Sequence, residues 1–302
     1  MSIDAGGSGF AGHGCLAGAT IWEMRRGVLL IILVLPWLCA VKVSLAETAG
    51  YQSPYDVAFS VPLEQLYAMD SYPPRNDWRL ESSTPFSEWY SPRTRKKYGA
   101  WGPEPRHYPA LPDYDQRSLS WKRQRVLAVA CRLIGLPYQH HHIPDWDPPG
   151  FWPWKPVAFG RNSRGVDCSD FTSWVYNYGL GIKLKTGIGR QAEMTEITGP
   201  GGNGIIEVET ISDDNGYDDL VRRLVTGDLL YIRNRSGKIG HVIMWVGSHG
   251  RSPDGAPLII DCTGAGRRDC NGNDIPIGVH LRPFLADSWY YKSFAHAHRI
   301  IR

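Results

Sequence analysis

The stretch Val166-Asp167-Cys168-Ser169-Asp170-Phe171 and its continuation to Gly181 constrain the fold more than any other part of the chain. Phe171, Trp174, Val175 and Tyr178 recur at i, i+3, i+4 and i+7, one apolar stripe on an amphipathic helix. Cys168 stands at the start of that pattern, and Gly179 and Gly181 are placed to end it. Such a stripe must be buried against another element. Five apolar runs follow, at 228–232, 241–246, 258–261, 278–281 and 294–301, separated by turn residues. Upstream, Val126, Leu127, Val129, Ala130, Leu133 and Ile134 mark a second helix. Ser118 or Ser120 is placed to cap it and Gly135-Leu136-Pro137 to stop it. Helices first and strands later predict an α+β domain, with N-terminal helices packed on an antiparallel β-sheet.

The position of Cys168 has chemical consequences. A helix N-terminus presents unpaired N–H groups and a partial positive charge. A cysteine there, with an imidazolium nearby, has its pKa lowered from about 8.5 into the range ~3.5–7.5. His241 opens the apolar run Val242-Ile243-Met244-Trp245-Val246 and is the candidate general base. Asp261 closes the run Leu258-Ile259-Ile260 and is the candidate to orient the imidazole, ahead of His249 and His280. Taken singly, Cys168 reads as a small core residue, His241 as a strand-end histidine and Asp261 as a turn cap. Their order and placement together point to nucleophilic thiol chemistry. Backbone N–H groups at the helix tip, that of Cys168 included, are candidate oxyanion donors. Asp170 adds negative charge in the first turn; it is expected to point away from the sulfur and to help cap the helix.

Composition narrows the classes. The 302-residue chain carries a net charge of only +3 with acids and bases interspersed, which argues against a nucleic-acid partner. Its 12 Trp and 15 Tyr suit contact with sugars or glycopeptides, although aromatic residues fill cores more often. Cys131 lies in an apolar helical run and reads as a buried thiol. Cys262 and Cys270 flank a Gly- and Arg-rich turn at 263–269 and are spaced to close a small disulfide loop. No Cys-x-x-Cys pair is present, and the adjacent His140, His141 and His142 are poorly placed to converge on one ion. No metal or organic cofactor is expected.

The N-terminal part reads as a targeting segment. Met24-Arg25-Arg26, the apolar run 27–41 and Ser44-Leu45-Ala46 give the pattern of an export signal over 1–46, with Met24 as an alternative start. The apolar run is shorter than the ~20 residues a spanning helix needs, so no stable membrane insertion is expected after cleavage. A retained anchor is the alternative. Residues 47–116 are rich in Pro, Tyr and Trp, as in Tyr72-Pro73-Pro74-Arg75 and Trp101-Gly102-Pro103-Glu104-Pro105. They read as an extended or loop-rich region, with one short helix at 63–69, ahead of a catalytic domain at 117–302.

From about residue 120 onward the chain resembles the NlpC/P60 family of cell-wall cysteine peptidases, which have a papain-like fold. Gly135-Leu136-Pro137-Tyr138 is similar to the family's helix end with a Pro-Tyr pair. Asp167-Cys168-Ser169-Asp170-Phe171 resembles its Asp-Cys-Ser-Gly-Phe/Leu motif, and Arg190-Gln191 its Arg-x-x-x-Gln region with altered spacing. Thr226-Gly227-Asp228-Leu229 resembles Pro-Gly-Asp-Leu, and Gly240-His241-Val242 the His-Val-Gly/Ala-Ile strand. The resemblance implies Cys168 as nucleophile, His241 as general base and Asp261 at the third position, where the family usually has His and sometimes Asn, Gln or Asp. It implies that Tyr138 lies beside the nucleophile as an oxyanion donor. Asp167 and Ser169 match positions that contact the free amine and carboxylate end of a peptide stem.

The activity implied is hydrolysis of peptidoglycan stem peptides at a γ-D-glutamyl–diamino acid bond, without a cofactor. The protein would act in the periplasm, the cell envelope or outside the cell. Two departures bear on specificity: Asp170 replaces the usual Gly, and Gln139-His140-His141-His142 replaces a Trp-Gly-Gly type of phrase. Two other readings share the pattern. One is a Cys–His amidase or acyl transferase acting on another amide; the other is a catalytically silent wall-binding module.

Overall fold

The computed structural model describes residues 41–42, 50–67, 88, 91–98, 107–138 and 166–302. All of them lie in the compact unit Cys39–Arg302. The predicted export signal apart from Val41–Lys42, the phrases at 72–75 and 101–105, and the His140-His141-His142 loop fall outside the described residues.

In chain order the elements are β1 (Val41–Lys42), β2 (Asp56–Phe59), α1 (Leu63–Tyr67), α2 (Pro92–Tyr98), α3 (Leu119–Cys131), α4 (Cys168–Leu180) and α5 (Ile188–Ala192). There follow β3 (Glu196–Thr198), β4 (Ile205–Glu207), β5 (Glu209–Ile211), α6 (Tyr217–Arg223), β6 (Leu229–Arg233), β7 (Ile239–Trp245) and β8 (Gly250–Arg251). The chain then runs through β9 (Leu258–Thr263), β10 (Arg267–Arg268), β11 (Asp274–Ile275), β12 (Gly278–Pro283), α7 (Trp289–Lys292) and β13 (Phe294–Arg299). Ser118 caps α3, its hydroxyl accepting the Trp121 N–H at 3.1 Å. Gly181 ends α4 in the left-handed conformation, φ 70°, whereas Gly179 lies inside the helix beside Val126 and Val129 of α3.

Five of the six strands in the main sheet are those the apolar runs predict. Its order is β12-β9-β7-β6-β13-β5, antiparallel throughout. The period-2 alternation of each strand divides two cores. Leu229, Tyr231, Val242, Met244, Leu258 and Ile260 face α3 and α4. Leu230, Ile232, Ile243, Trp245 and Ile259 form the second core with Leu220 of α6 and Tyr290 of α7. The domain is α+β, with helices against an antiparallel sheet.

The described part of 47–116 is built into the first core. Tyr55, Val57, Phe59 and Leu66 are buried with α3 and α4. The Gln124 side chain accepts the Ser60 and Val61 N–H groups at 2.8 and 3.1 Å. The buried Arg125 guanidinium bonds the Leu66 carbonyl of α1 and, at 3.2 Å, that of Gly179. α1 falls within the short helix expected at 63–69, whereas β2, four residues long, is too short to leave a readable period in the sequence.

The Cys262–Cys270 bridge that the sequence spacing leaves open is not formed; both are free thiols. Cys262 is buried in β9 and donates to the Val166 carbonyl at 2.9 Å. Cys270 lies in the turn of the β10–β11 hairpin, which carries it away from β9; its N–H donates to the Tyr55 hydroxyl at 3.0 Å. Cys131 is buried, and burial pushes its thiol up to about 12.

Gly278 opens β12 at φ 112°, and a Cβ there would lie 2.3 Å from the Leu136 carbonyl oxygen. That carbonyl accepts the Val279 N–H at 2.9 Å, tying the end of the α3 loop to the sheet. Gly278→Ala is expected to cost more than about 2 kcal/mol, since backbone strain alone accounts for roughly 1–3 kcal/mol. Urea unfolding checks this, and an unchanged midpoint would refute the close approach.

Burial, assisted by Arg282, lowers the His280 imidazole to about 3, and burial with neighbouring His296 lowers that of His298 to about 4. Both rings therefore stay neutral in the fold while the unfolded chain takes up protons below about 6.5. Stability is expected to fall with decreasing pH from about 6.5 to those lower values, by up to about 1.4 kcal/mol per pH unit for each ring. His298→Phe should flatten the dependence of the urea midpoint between pH 7 and 5; an unaltered slope would count against it.

Candidate active site

The tip of α4 is held from three sides. Asp167 caps it, Oδ1 accepting the N–H groups of Ser169 at 3.1 Å and Asp170 at 3.0 Å, and the Ser169 hydroxyl at 3.2 Å. The buried Gln191 of α5 donates to the Ser169 and Lys185 carbonyls at 3.2 and 2.7 Å, and accepts the Thr172 hydroxyl at 3.1 Å. The Ser169 and Asp170 amides are thus occupied, which corrects the expectation of several free donors. The Cys168 N–H has no hydrogen-bond partner among the described residues and remains the helix-tip candidate for an oxyanion.

Asp170 departs from expectation. Asp167, not Asp170, is the residue whose side chain caps the helix, and Asp170 is buried. Burial, the Asp167 charge and a hydrogen bond to Asp167 raise its carboxyl well above its ordinary value. Burial and the neighbouring Asp167 also push the Cys168 thiol well up, with smaller contributions from Asp170 and Asp261. The Val242 N–H, donating to the sulfur, works the other way and is outweighed. Cys168 is therefore a protonated, 7% exposed thiol at rest, not the pre-formed thiolate that a helix tip alone suggests.

The sheet supplies the second half. Alternation along β7 and β9 puts the His241 and Asp261 side chains on the face opposite α4. The ladder between these strands pairs Met244 with Ile260 and Trp245 with Ile259. Toward His241 it opens, and there the Val242 amide meets Cys168. The sulfur thus lies against the residue that follows His241, at the mouth of the gap.

His241 Nε2 lies 2.6 Å from Asp261 Oδ2, which also accepts the Tyr290 hydroxyl at 3.0 Å. Asp261 Oδ1 pairs with the Arg282 guanidinium, and neither of those side chains exposes any surface. Arg282 is itself fixed by the carbonyls of His280 at 3.1 Å and Pro276 at 2.9 Å. Burial pushes the Asp261 carboxyl up, but Arg282, His241 and Tyr290 outweigh it and hold it below the usual carboxylate range. An ionised carboxylate only accepts hydrogen bonds, so the proton shared by the pair sits on Nε2 and Nδ1 is turned away from Asp261. Among the described residues Nδ1 makes no hydrogen bond. In a ligand-free site such catalytic contacts are commonly longer than in the substrate complex.

Tyr138 is joined to Val166 by a backbone bridge, and its ring packs over Gly264, where a Cβ would approach within 3.1 Å. Burial, then the charges of Asp167 and Cys168, raise its hydroxyl, which stays a protonated donor near the sulfur. The weaker candidates stand apart from the imidazole. His249 bonds the Ala58 carbonyl at 3.0 Å, and His280 lies opposite Asp261 in β12 without bonding His241. Sequence reasoning missed Arg282 and Tyr290. Arg282 left one signal, an arginine inside the apolar run Val279-His280-Leu281-Arg282-Pro283. Tyr290 left none beyond an aromatic cluster.

Comparison with known proteins gives the class. The model of the NlpC/P60 family matches residues 155–264, a span that holds Cys168, His241 and Asp261. The match supports the NlpC/P60 family for this part of the chain and, with it, a cell-wall peptidase type of function. A crystal structure of an NlpC/P60 family protein from Bacillus cereus ATCC 10987 is 18% identical, with a TM-score of 0.34 over 62% of this chain and 41% of that one. This chain therefore spans less than half the length of that protein. No curated protein matches the sequence. Among the described residues no cluster of three or more His, Cys, Asp or Glu could hold a metal, and no helix is long and apolar enough to cross a membrane.

Arg282→Leu would leave Asp261 buried without its cation. A loss of about 3–5 kcal/mol is expected. Urea unfolding measures it, and a loss below about 1 kcal/mol would mean that the pair is solvated in solution.

Proposed function

We propose that the protein is an exported cysteine peptidase that hydrolyses peptidoglycan stem peptides, with the γ-D-glutamyl–diamino acid amide as its bond. The observation that carries this reading is the hydrogen bond from His241 to Asp261, next to a backbone amide that touches the Cys168 sulfur. Export is proposed from the segment 1–46, and places the protein in the periplasm, the cell envelope or outside the cell.

In this reading His241 Nδ1 takes the proton from Cys168 as the sulfur attacks the scissile carbonyl carbon. The oxyanion is received by the Cys168 N–H and the Tyr138 hydroxyl. The imidazolium is stabilised by Asp261 and gives its proton to the departing amine nitrogen, leaving a thioester. Water, deprotonated by His241, then releases the acid and restores the thiol. Because Cys168 rests as a thiol, proton removal belongs to the attack itself and not to a prior ion pair. Asp167 and Ser169, already bonded to each other, are the groups beside the nucleophile proposed to contact the ends of the stem peptide.

The raised Cys168 thiol is the observation that favours the rival reading of a silent wall-binding module. Alkylation of the resting protein does not separate the two, since slow labelling is expected from both. Product masses from purified sacculi do. Wild-type protein should release peptides that begin with the diamino acid and leave glycan-linked stems ending in D-glutamate, and Cys168→Ala should lower the rate by at least about 10³-fold. Equal release by the variant would end the proposal.

A further inference from the structure

Beside the candidate nucleophile lies a second thiol that the mechanism above does not use. Cys262 follows Asp261 in β9, and its sulfur donates to the carbonyl of Val166, just ahead of the α4 tip, at 2.9 Å. β7 and β9 pair Met244 with Ile260. Carried on toward His241, that antiparallel register sets Val242 across from Cys262, where the ladder has opened. The Val242 amide is the group that donates to the Cys168 sulfur. Cys168, Val242 and Cys262 belong to one core, on the α4 face of the sheet. Two sulfurs thus flank one strand position, one from α4 and one from β9.

The two thiols are shielded unequally. Cys168 keeps some exposed surface, whereas Cys262 is fully buried. A small oxidant therefore meets Cys168 first, and Cys262 only through it. Burial, then the charges of Asp261 and Cys168, push the Cys262 thiol well up, which sets the two sulfurs within electrostatic reach of each other. The Tyr138 hydroxyl, raised first by burial, is raised by both of them as well. The bond from Cys262 to the Val166 carbonyl is a weak S–H donor contact, so little opposes its exchange for a covalent one. The other described thiols lie elsewhere: Cys131 is buried in α3, and Cys270 sits in the turn of the β10–β11 hairpin.

We propose that Cys262 is a resolving thiol: when a small hydroperoxide oxidises Cys168, Cys262 closes a Cys168–Cys262 disulfide across the gap between β7 and β9. The Cys168 sulfur attacks the outer peroxide oxygen as His241 takes the thiol proton. The O–O bond breaks, that proton passes to the departing alkoxide or hydroxide, and Cys168 becomes a sulfenic acid. Cys262 then attacks the oxidised sulfur. An S–S bond forms, the S–O bond breaks, and the Cys262 proton leaves with the hydroxyl as water. Two thiols are oxidised to one disulfide, and the hydroperoxide is reduced to an alcohol, or to water when it is hydrogen peroxide. A bonded sulfur cannot attack a carbonyl. On the peptidase reading above, the disulfide therefore switches the enzyme off and reduction restores it. Formation of the disulfide does not depend on that reading; its consequence for activity rests on it.

Reduced protein treated with excess hydrogen peroxide, alkylated in denaturant and digested gives the test by mass spectrometry. The expected product is a cross-linked pair of peptides carrying Cys168 and Cys262, lighter than its parts by two hydrogens, which dithiothreitol separates. Cys262→Ser keeps a donor for the Val166 carbonyl; in it Cys168 should pass on to sulfinic acid, which dithiothreitol does not reverse. Wild-type Cys168 found as sulfinic acid while Cys262 is still alkylated overturns the proposal. So does a bridge from Cys168 to any other cysteine, a full set of unchanged thiols after peroxide, or complete recovery of Cys262→Ser with dithiothreitol. The wild-type map decides the question alone if that variant fails to fold. Peptide release from sacculi should be lost in the peroxide-treated wild type and return with dithiothreitol, and undiminished release by cross-linked protein overturns the switch. Absence of release by the reduced protein ends the peptidase reading instead, and the disulfide then stands or falls on the map.

Discussion

The buried pair between Asp261 and Arg282 is the constraint on which the candidate site depends. A carboxylate enclosed in a sheet would ordinarily take up a proton. Arg282 prevents this, and the consequences propagate outward by one hydrogen bond at a time. An ionised Asp261 accepts the Nε2–H of His241, and that sets the orientation of the ring. The ion pair itself contributes little net stability, because desolvating two charges offsets most of their attraction. What it maintains is a protonation state, and through it an orientation.

Much of the architecture was legible in the residues. The stripe from Phe171 to Tyr178 and the five apolar runs gave the helix, the strands and the α+β class, because burial on one face leaves a periodic trace. The pairing of His241 with Asp261 was also within reach, since adjacent apolar runs joined by a turn tend to lie side by side. Arg282 was not, because a single charged residue in a strand reads equally well as an edge position. The state of Cys168 was misjudged for a related reason. The helix-tip field is a local property that sequence reveals, whereas the burial of Asp167 and Asp170 around the sulfur is a property of the assembled core.

The gap between β7 and β9 reconciles the two faces of the sheet. Alternation separates the helix that carries the thiol from the side chains of His241 and Asp261. A continuous ladder would keep them apart. Because the β7–β9 pairing extends no nearer to His241 than Met244, the helix tip reaches a strand amide, and chemistry from both faces shares one edge. Sequence gives the strands but not where a ladder ends, since that depends on what intrudes between them.

The burial of β2 and α1 in the first core bears on how the chain can be divided. Arg125 projects from α3 into carbonyls supplied by α1 and α4. A protein trimmed to the span that carries the thiol and the imidazole would strand that guanidinium among hydrocarbon and uncover the sites of Tyr55, Phe59 and Leu66. The segment ahead of the first long helix is thus scaffold for the chemistry, although it contributes no reacting atom.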